Sequence, residues 1–168
     1  SRLDHPNLVT VGALEQAGPW YHIPMALVDG PALAQLLEAR AAGTPTDLAA
    51  LVAALADVAR GLHYAHCQGV IHRDVNPRNI LFTASGQPVL SDFGVARPLE
   101  AAGGLTGQKV VLGSISYAAP ERLVSEAKAD VRSDVYSLGV TLYEMLTGRL
   151  PYPEAELARL LPKIRKGD

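Results

Sequence analysis

His72-Arg73-Asp74-Val75-Asn76-Pro77-Arg78-Asn79 is the stretch on which the reading of the fold turns, and Asp92-Phe93-Gly94 follows with Asp92 thirteen residues after Asn79. Ala119-Pro120-Glu121 comes next, and Asp134 stands thirteen residues beyond Glu121. Each segment alone is weak evidence, because Asp, Asn and Gly favour turns wherever they occur. Four of them in fixed order with compatible gaps are strong evidence. Upstream, Leu48, Leu51, Val52, Leu55, Ala59, Leu62 and Ala65 recur at three- and four-residue steps, which predicts one long helix over 47–68 with a continuous apolar face. Thr46 or Asp47 is placed to cap its start, and Gly69 stands where a left-handed C-terminal cap belongs. Downstream, Ile80-Leu81-Phe82 and Pro88-Val89-Leu90, with Gly86 between them, read as the small strands of a hairpin.

Further out, residues 97–113 are rich in Gly and small residues and have no period; a loop this long within a compact domain is usually functional. A second helix is predicted over 133–147, ended by Gly148 and Pro151. Its Val135, Leu138, Val140, Leu142, Met145 and Leu146 fall on several sides, the pattern of a helix buried all round. At the start, 8–14 and 21–28 read as extended segments about a turn at Gly18-Pro19. A helix is predicted from Gly30-Pro31 to Arg40, with Pro31 at an early position where its missing N–H is harmless. The stretch 154–166 is amphipathic and interrupted by Pro162.

At 168 residues, 48% hydrophobic and 19% charged, with net charge −2, the chain suits one globular domain. The near-neutral balance gives no reason to expect nucleic acid as a partner. One cysteine, Cys67, rules out an internal disulfide and fits a reducing compartment, so a cytoplasmic location is expected. No run approaches eighteen uninterrupted apolar residues, and no membrane-spanning segment is expected. His63, His66, Cys67 and His72 lie close together, but no further Cys or acidic residue completes a zinc-ligand spacing.

The ordered set, from His5-Pro6-Asn7 to the end of the chain, resembles the eukaryotic-type serine/threonine protein kinase domain, with a flavour similar to its bacterial members. The resemblance implies an α+β fold in which 1–28 is a partial N-terminal lobe and hinge and 29–168 a C-terminal lobe, truncated at both ends. It implies ATP and Mg2+ as cofactors and a protein Ser/Thr hydroxyl as phosphate acceptor; the oligomeric state is left open. Asp74 would orient the attacking hydroxyl, and Asn79 and Asp92 would offer oxygens to magnesium. Met25 falls at the gatekeeper position, Ala26 to Val28 at the adenine-binding hinge, and Leu81 at the floor of the adenine pocket. Arg73 resembles the arginine that grips a phosphorylated activation loop, for which Thr106 is the candidate acceptor. Ser114 matches the small hydroxyl residue before Tyr117-Ala118-Ala119-Pro120-Glu121, and with Pro77 it looks like the serine/threonine branch. Glu121 matches a glutamate that pairs with an arginine near the domain's end, and Asp134 one that ties down the catalytic-loop backbone while also suiting a helix N-terminus.

Two departures qualify the resemblance. Asn76 occupies the slot two residues after Asp74 where a lysine is usual, so an amide replaces a cation near the transferred phosphate. No Gly-x-Gly-x-x-Gly loop or strand lysine precedes His5, so the chain as given is expected to be a poor catalyst alone, and a non-catalytic pseudokinase-like interaction module is the alternative. A small-molecule phosphotransferase of the antibiotic-kinase type is disfavoured by the Ala119-Pro120-Glu121 segment.

Overall fold

A computed structural model describes residues 3–93, 112–124 and 130–152. It is an α+β chain in which the order β1 (Glu15–Ala17), β2 (Trp20–His22), α1 (Leu33–Ala41), α2 (Leu48–Cys67), β3 (Ile80–Phe82), β4 (Pro88–Leu90) is followed by a 3-10 helix (Leu112–Tyr117), α3 (Pro120–Val124) and α4 (Val131–Thr147). Two compact units divide it: Ser1–Val70 with Pro77–Asp92, and Ile71–Asn76 with Phe93–Asp168.

In the first unit, α2 is the core helix. The Asp47 carboxylate accepts the Ala50 N–H at 3.1 Å and caps its start. Gly69, at φ 74°, ends it as expected, with the Val70 N–H reaching back to the Ala65 carbonyl at 2.9 Å. The buried stripe is Leu51, Leu55, Val58, Gly61, Leu62 and Ala65. Val52, expected on that stripe, is exposed, and Val58 takes the central place. By length and composition alone α2 could cross a membrane; here its stripe packs on β4, and Asp57 and Arg60 form an ion pair on its exposed side.

β3 and β4 pair antiparallel as the hairpin predicts, Ile80 with Leu90 and Phe82 with Pro88, about a turn in which Gly86 has φ 83°. Residues 7–9 add a parallel bridge on the other edge of β4: the Leu90 N–H donates to Asn7 O (2.8 Å) and the Val9 N–H to Leu90 O (2.9 Å). The His5 ring lies 5.3 Å from that of Tyr64, setting the same segment along α2.

The start of the chain differs from expectation. The strands are 15–17 and 20–22, tight against the left-handed Gly18, while 8–14 and 21–28 meet only at the Val11–Met25 bridge and its flanking bonds. Between these pairings three residues (12–14) face two (23–24), so a bulge interrupts the ladder where Pro24 has no N–H to donate. Pro31 does not enter α1. Its carbonyl accepts the Phe82 N–H (2.9 Å) and Ala32 bridges Leu81, which holds 31–32 extended; the helix begins at Leu33, its entry bonded through the Ala32 N–H to Gln35 Oε1 (2.8 Å).

In the second unit, α4 starts earlier than predicted, at Val131. Asp130 is its N-cap, accepting the Arg132 N–H at 2.8 Å and the Arg132 guanidinium at 2.6 and 2.9 Å, bonds that hold the Asp130 carboxyl below the usual carboxylate range. Asp134 therefore lies inside the first turn and is not the cap. Nor is the helix buried all round. Val135 and Leu146 are 61% and 48% exposed, and the buried stripe is Ser133, Asp134, Ser137, Val140, Thr141 and Met145. Its hydroxyls are satisfied within the protein: Thr141 Oγ1 donates to Ser137 O (2.9 Å), and Ser137 Oγ lies within bonding distance of Ser133 O (3.0 Å) and Tyr117 O (2.8 Å). Most of the loop 97–113 and all of 154–166 lie outside the described residues.

At Gly61 in α2 the chain passes close by: a Cβ there would lie 2.9 Å from Leu8 Cδ2 and 3.2 Å from Asn7 Cβ. Gly61→Ala should lower stability by about 1–3 kcal/mol through overpacking, read as a lower urea midpoint. An unchanged midpoint would show that residues 7–8 do not pack on α2 this closely.

Candidate active site

The residues singled out from the sequence fall into two groups. In the second unit, the loop 71–76 is held from α4. The Asp134 carboxylate, 1% exposed, accepts the His72 N–H on one oxygen and the Arg73 N–H on the other, both at 2.8 Å. His72 is fully buried, and its ring packs edge-on to Phe93 with centroids 4.5 Å apart. His72 Nδ1 accepts the Asp74 N–H at 3.2 Å, so the ring nitrogen facing the loop is the acceptor and the hydrogen of a neutral imidazole sits on Nε2. Arg73 has φ 71°, a left-handed conformation costing a non-glycine residue about 1–2 kcal/mol, and it persists because its neighbours fix it. Its side chain is exposed, and Asp74 follows half-buried.

Asn76 is 2% exposed, and its amide Nδ2 donates to the Asp74 carbonyl at 2.9 Å. One of its donors is thus turned to the loop's own backbone. Glu121 accepts a hydrogen bond from Ser133 Oγ at 3.1 Å, and Tyr117 OH donates to Glu144 at 2.5 Å. Ser114 lies in the 3-10 helix, and Thr106 lies outside the described residues.

In the first unit, Asn79 and Asp92 are joined through Ser91. The Ser91 N–H donates to Asn79 O at 2.8 Å, and Ser91 Oγ lies 3.2 Å from the same carbonyl and 3.3 Å from Asp92 Oδ2. Asp92, like Arg73, is a non-glycine residue with positive φ, 63°. An amide and a carboxylate supply the oxygen donors that a hard divalent cation prefers. Leu81 is half-buried on β3; Met25 is 51% exposed, Val28 half-buried, and the Ala26 N–H already donates to Thr10 O at 2.9 Å.

Sequence reasoning missed Ser91, Arg122, Ser137 and Glu144. Ser137 and Glu144 lie on α4 with Asp134, three and ten residues on, a helical spacing that could have flagged them. Ser91 and Arg122 carry no such signal; each merely flanks a motif.

A family model described as protein kinase domain matches residues 1–166. The chain belongs to the protein kinase domain family. Among the relatives of this kinase domain are serine/threonine-protein kinase PknL of Mycobacterium tuberculosis, 42% identical over 152 residues, and PknB of Mycobacterium leprae, 38% identical over 154. These alignments cover 90% and 89% of this chain, but only 37% of PknL and 24% of PknB. PknB of Mycobacterium tuberculosis is 39% identical over 155 residues.

The Asp134 tie gives a direct test. Asp134→Asn retains the shape but leaves one accepting oxygen for two N–H groups, so the kinase domain should lose about 1.5–3 kcal/mol, measured by chemical denaturation. Stability equal to wild type would contradict the bidentate acceptance.

Proposed function

We propose that this chain is the catalytic-loop and helical part of a protein serine/threonine kinase that transfers the ATP γ-phosphate to protein hydroxyls. Residues 1–28 are read as a partial N-terminal lobe with hinge, and 29–168 as the C-terminal lobe. The observation that carries the reading is the tie from Asp134 to His72 and Arg73, because it fixes the loop whose next residue is Asp74. In this reading Asp74 accepts the hydrogen bond of the attacking hydroxyl and aligns it in line with the phosphate. The Asn79 amide oxygen and the Asp92 carboxylate hold Mg2+, and Ser91, which bonds the Asn79 backbone carbonyl and lies 3.3 Å from Asp92 Oδ2, supports keeping the two residues close together. The metal, when bound with ATP, supplies charge neutralisation on the phosphate oxygens.

Met25, Ala26, Val28 and Leu81 are assigned to the adenine end. Arg73 is assigned to a phosphorylated activation segment carrying Thr106 and Ser114, and Glu121, bonded to Ser133, to anchoring that segment. The exposed free thiol of Cys67 supports a cytoplasmic setting. Asn76 supports a second reading, a module that binds a protein partner without catalysis, because its buried amide is turned to the Asp74 carbonyl and brings no cation to the phosphate. Measured Mg-ATP affinity and turnover separate the two.

The test is phosphate transfer to protein serine and threonine by the full-length protein. Asp74→Asn should slow transfer by roughly 10²–10⁴-fold with ATP binding preserved, and Asp92→Asn should remove the Mg2+-dependent rate because an amide binds the metal weakly. Transfer by Asp92→Asn at the wild-type rate would overturn the assignment, and Mg-ATP binding without any turnover would favour the partner-binding module.

A further inference from the structure

Arg122 follows Ala119-Pro120-Glu121 directly and lies in α3. Its guanidinium Nη1 donates to the carbonyl oxygen of Arg73. That carbonyl belongs to the peptide joining Arg73 to Asp74, and the N–H of the same peptide donates to His72 Nδ1 at 3.2 Å. The preceding peptide, His72 to Arg73, gives its N–H to Asp134 at 2.8 Å. Both peptides flanking the left-handed Arg73 are therefore held, one from α4 and one from α3. A peptide plane anchored only through its N–H can rotate about the torsions on either side; anchored at its carbonyl as well, it cannot turn without breaking a second bond. The direction in which Asp74 leaves the backbone is set by that plane.

We propose that Arg122 is a positioning residue for phosphoryl transfer: by holding the Arg73 carbonyl it fixes the Arg73–Asp74 peptide and so aims the Asp74 carboxylate. The inference rests on the kinase reading of Asp74 and deepens it. Arg122 acts through backbone and touches no reacting atom. Arginine suits the task because its charge is permanent, its N–H groups are fixed in a plane, and a charge-assisted bond to a carbonyl is stronger than a neutral one. Lysine can supply a charged donor at the same place; alanine cannot.

The experiment compares the full-length wild type with Arg122→Ala, Arg122→Lys and Arg122→Gln, by amide hydrogen exchange resolved at Asp74 and by steady-state transfer kinetics. Arg122→Ala should speed Asp74 exchange by about tenfold or more and lower kcat by about tenfold, with KM for ATP within about twofold. The α2 amides, from Leu51 to Ala65, should keep their protection and report that the fold is intact. Arg122→Lys should recover most of both effects. Unchanged Asp74 exchange in Arg122→Ala, or no recovery in Arg122→Lys, would overturn the proposal. Should Arg122→Ala lose α2 protection as well, Lys against Gln decides: Asp74 protection kept by Lys and lost by Gln supports the clamp, and equal protection refutes it. Exchange that responds as expected in a wild type unable to transfer phosphate would sink the kinase reading and spare the clamp. Robust transfer with unmoved exchange would do the reverse.

Discussion

One buried carboxylate ties the loop 71–76 to α4. Asp134 comes from the first turn of α4, and its two oxygens take the N–H groups of His72 and Arg73, residues more than sixty positions earlier in the chain. An ionised carboxylate withdrawn from water loses several kcal/mol of solvation unless charge-assisted hydrogen bonds replace it. Here the compensating donors are backbone groups that would otherwise be stranded at a turn, so each side satisfies the other. The consequence is a loop that can hold Arg73 left-handed. Such a conformation persists only when its surroundings over-determine it. His72 contributes from inside the loop, buried against Phe93 and accepting the Asp74 N–H.

The same helix also reaches residues 117–121. Ser133 bonds Glu121, Ser137 bonds the Tyr117 carbonyl, and Glu144 receives the Tyr117 hydroxyl. A stripe of small polar side chains does what an apolar stripe cannot: it fixes the register of 117–121 through directional bonds, not through shape alone. Each hydroxyl also has a carbonyl one turn back on its own helix within reach or a partner across the contact, which limits the desolvation penalty of burying it.

What could be read from the sequence was mostly local. The limits of α2, its Asp47 cap and the terminating Gly69 follow from periodicity and backbone preference, and so does the β3–β4 hairpin with its turn at Gly86. The failures are long-range. Pro31 is an acceptable first helical residue until its carbonyl is claimed by Phe82. The strands near Gly18 are displaced because a bulge beside Pro24 breaks the ladder that alternation alone would extend. In α4 the buried face mixes the polar Ser133, Asp134, Ser137 and Thr141 with Val140 and Met145, and hydrophobicity alone does not pick out such a face. The candidate residues divide in the same way. Asp74, Asn79 and Asp92 stand out because their order and spacing are unusual, while Arg122 and Ser91 act through backbone carbonyls that no side-chain motif records. Asn76 was legible as a departure, but not its inward turn to the Asp74 carbonyl.

The hold of α4 on the loop 71–76 consists of the two bonds to Asp134, and scalar coupling across hydrogen bonds observes them directly. In uniformly 15N,13C-labelled protein, correlations should appear from the backbone nitrogens of both His72 and Arg73 to the carboxyl carbon of Asp134, alongside the ordinary amide-to-carbonyl correlations within α2 as an internal standard. Correlations within α2 with neither of the Asp134 peaks would contradict it, because the loop that carries Asp74 would then be held by something other than α4.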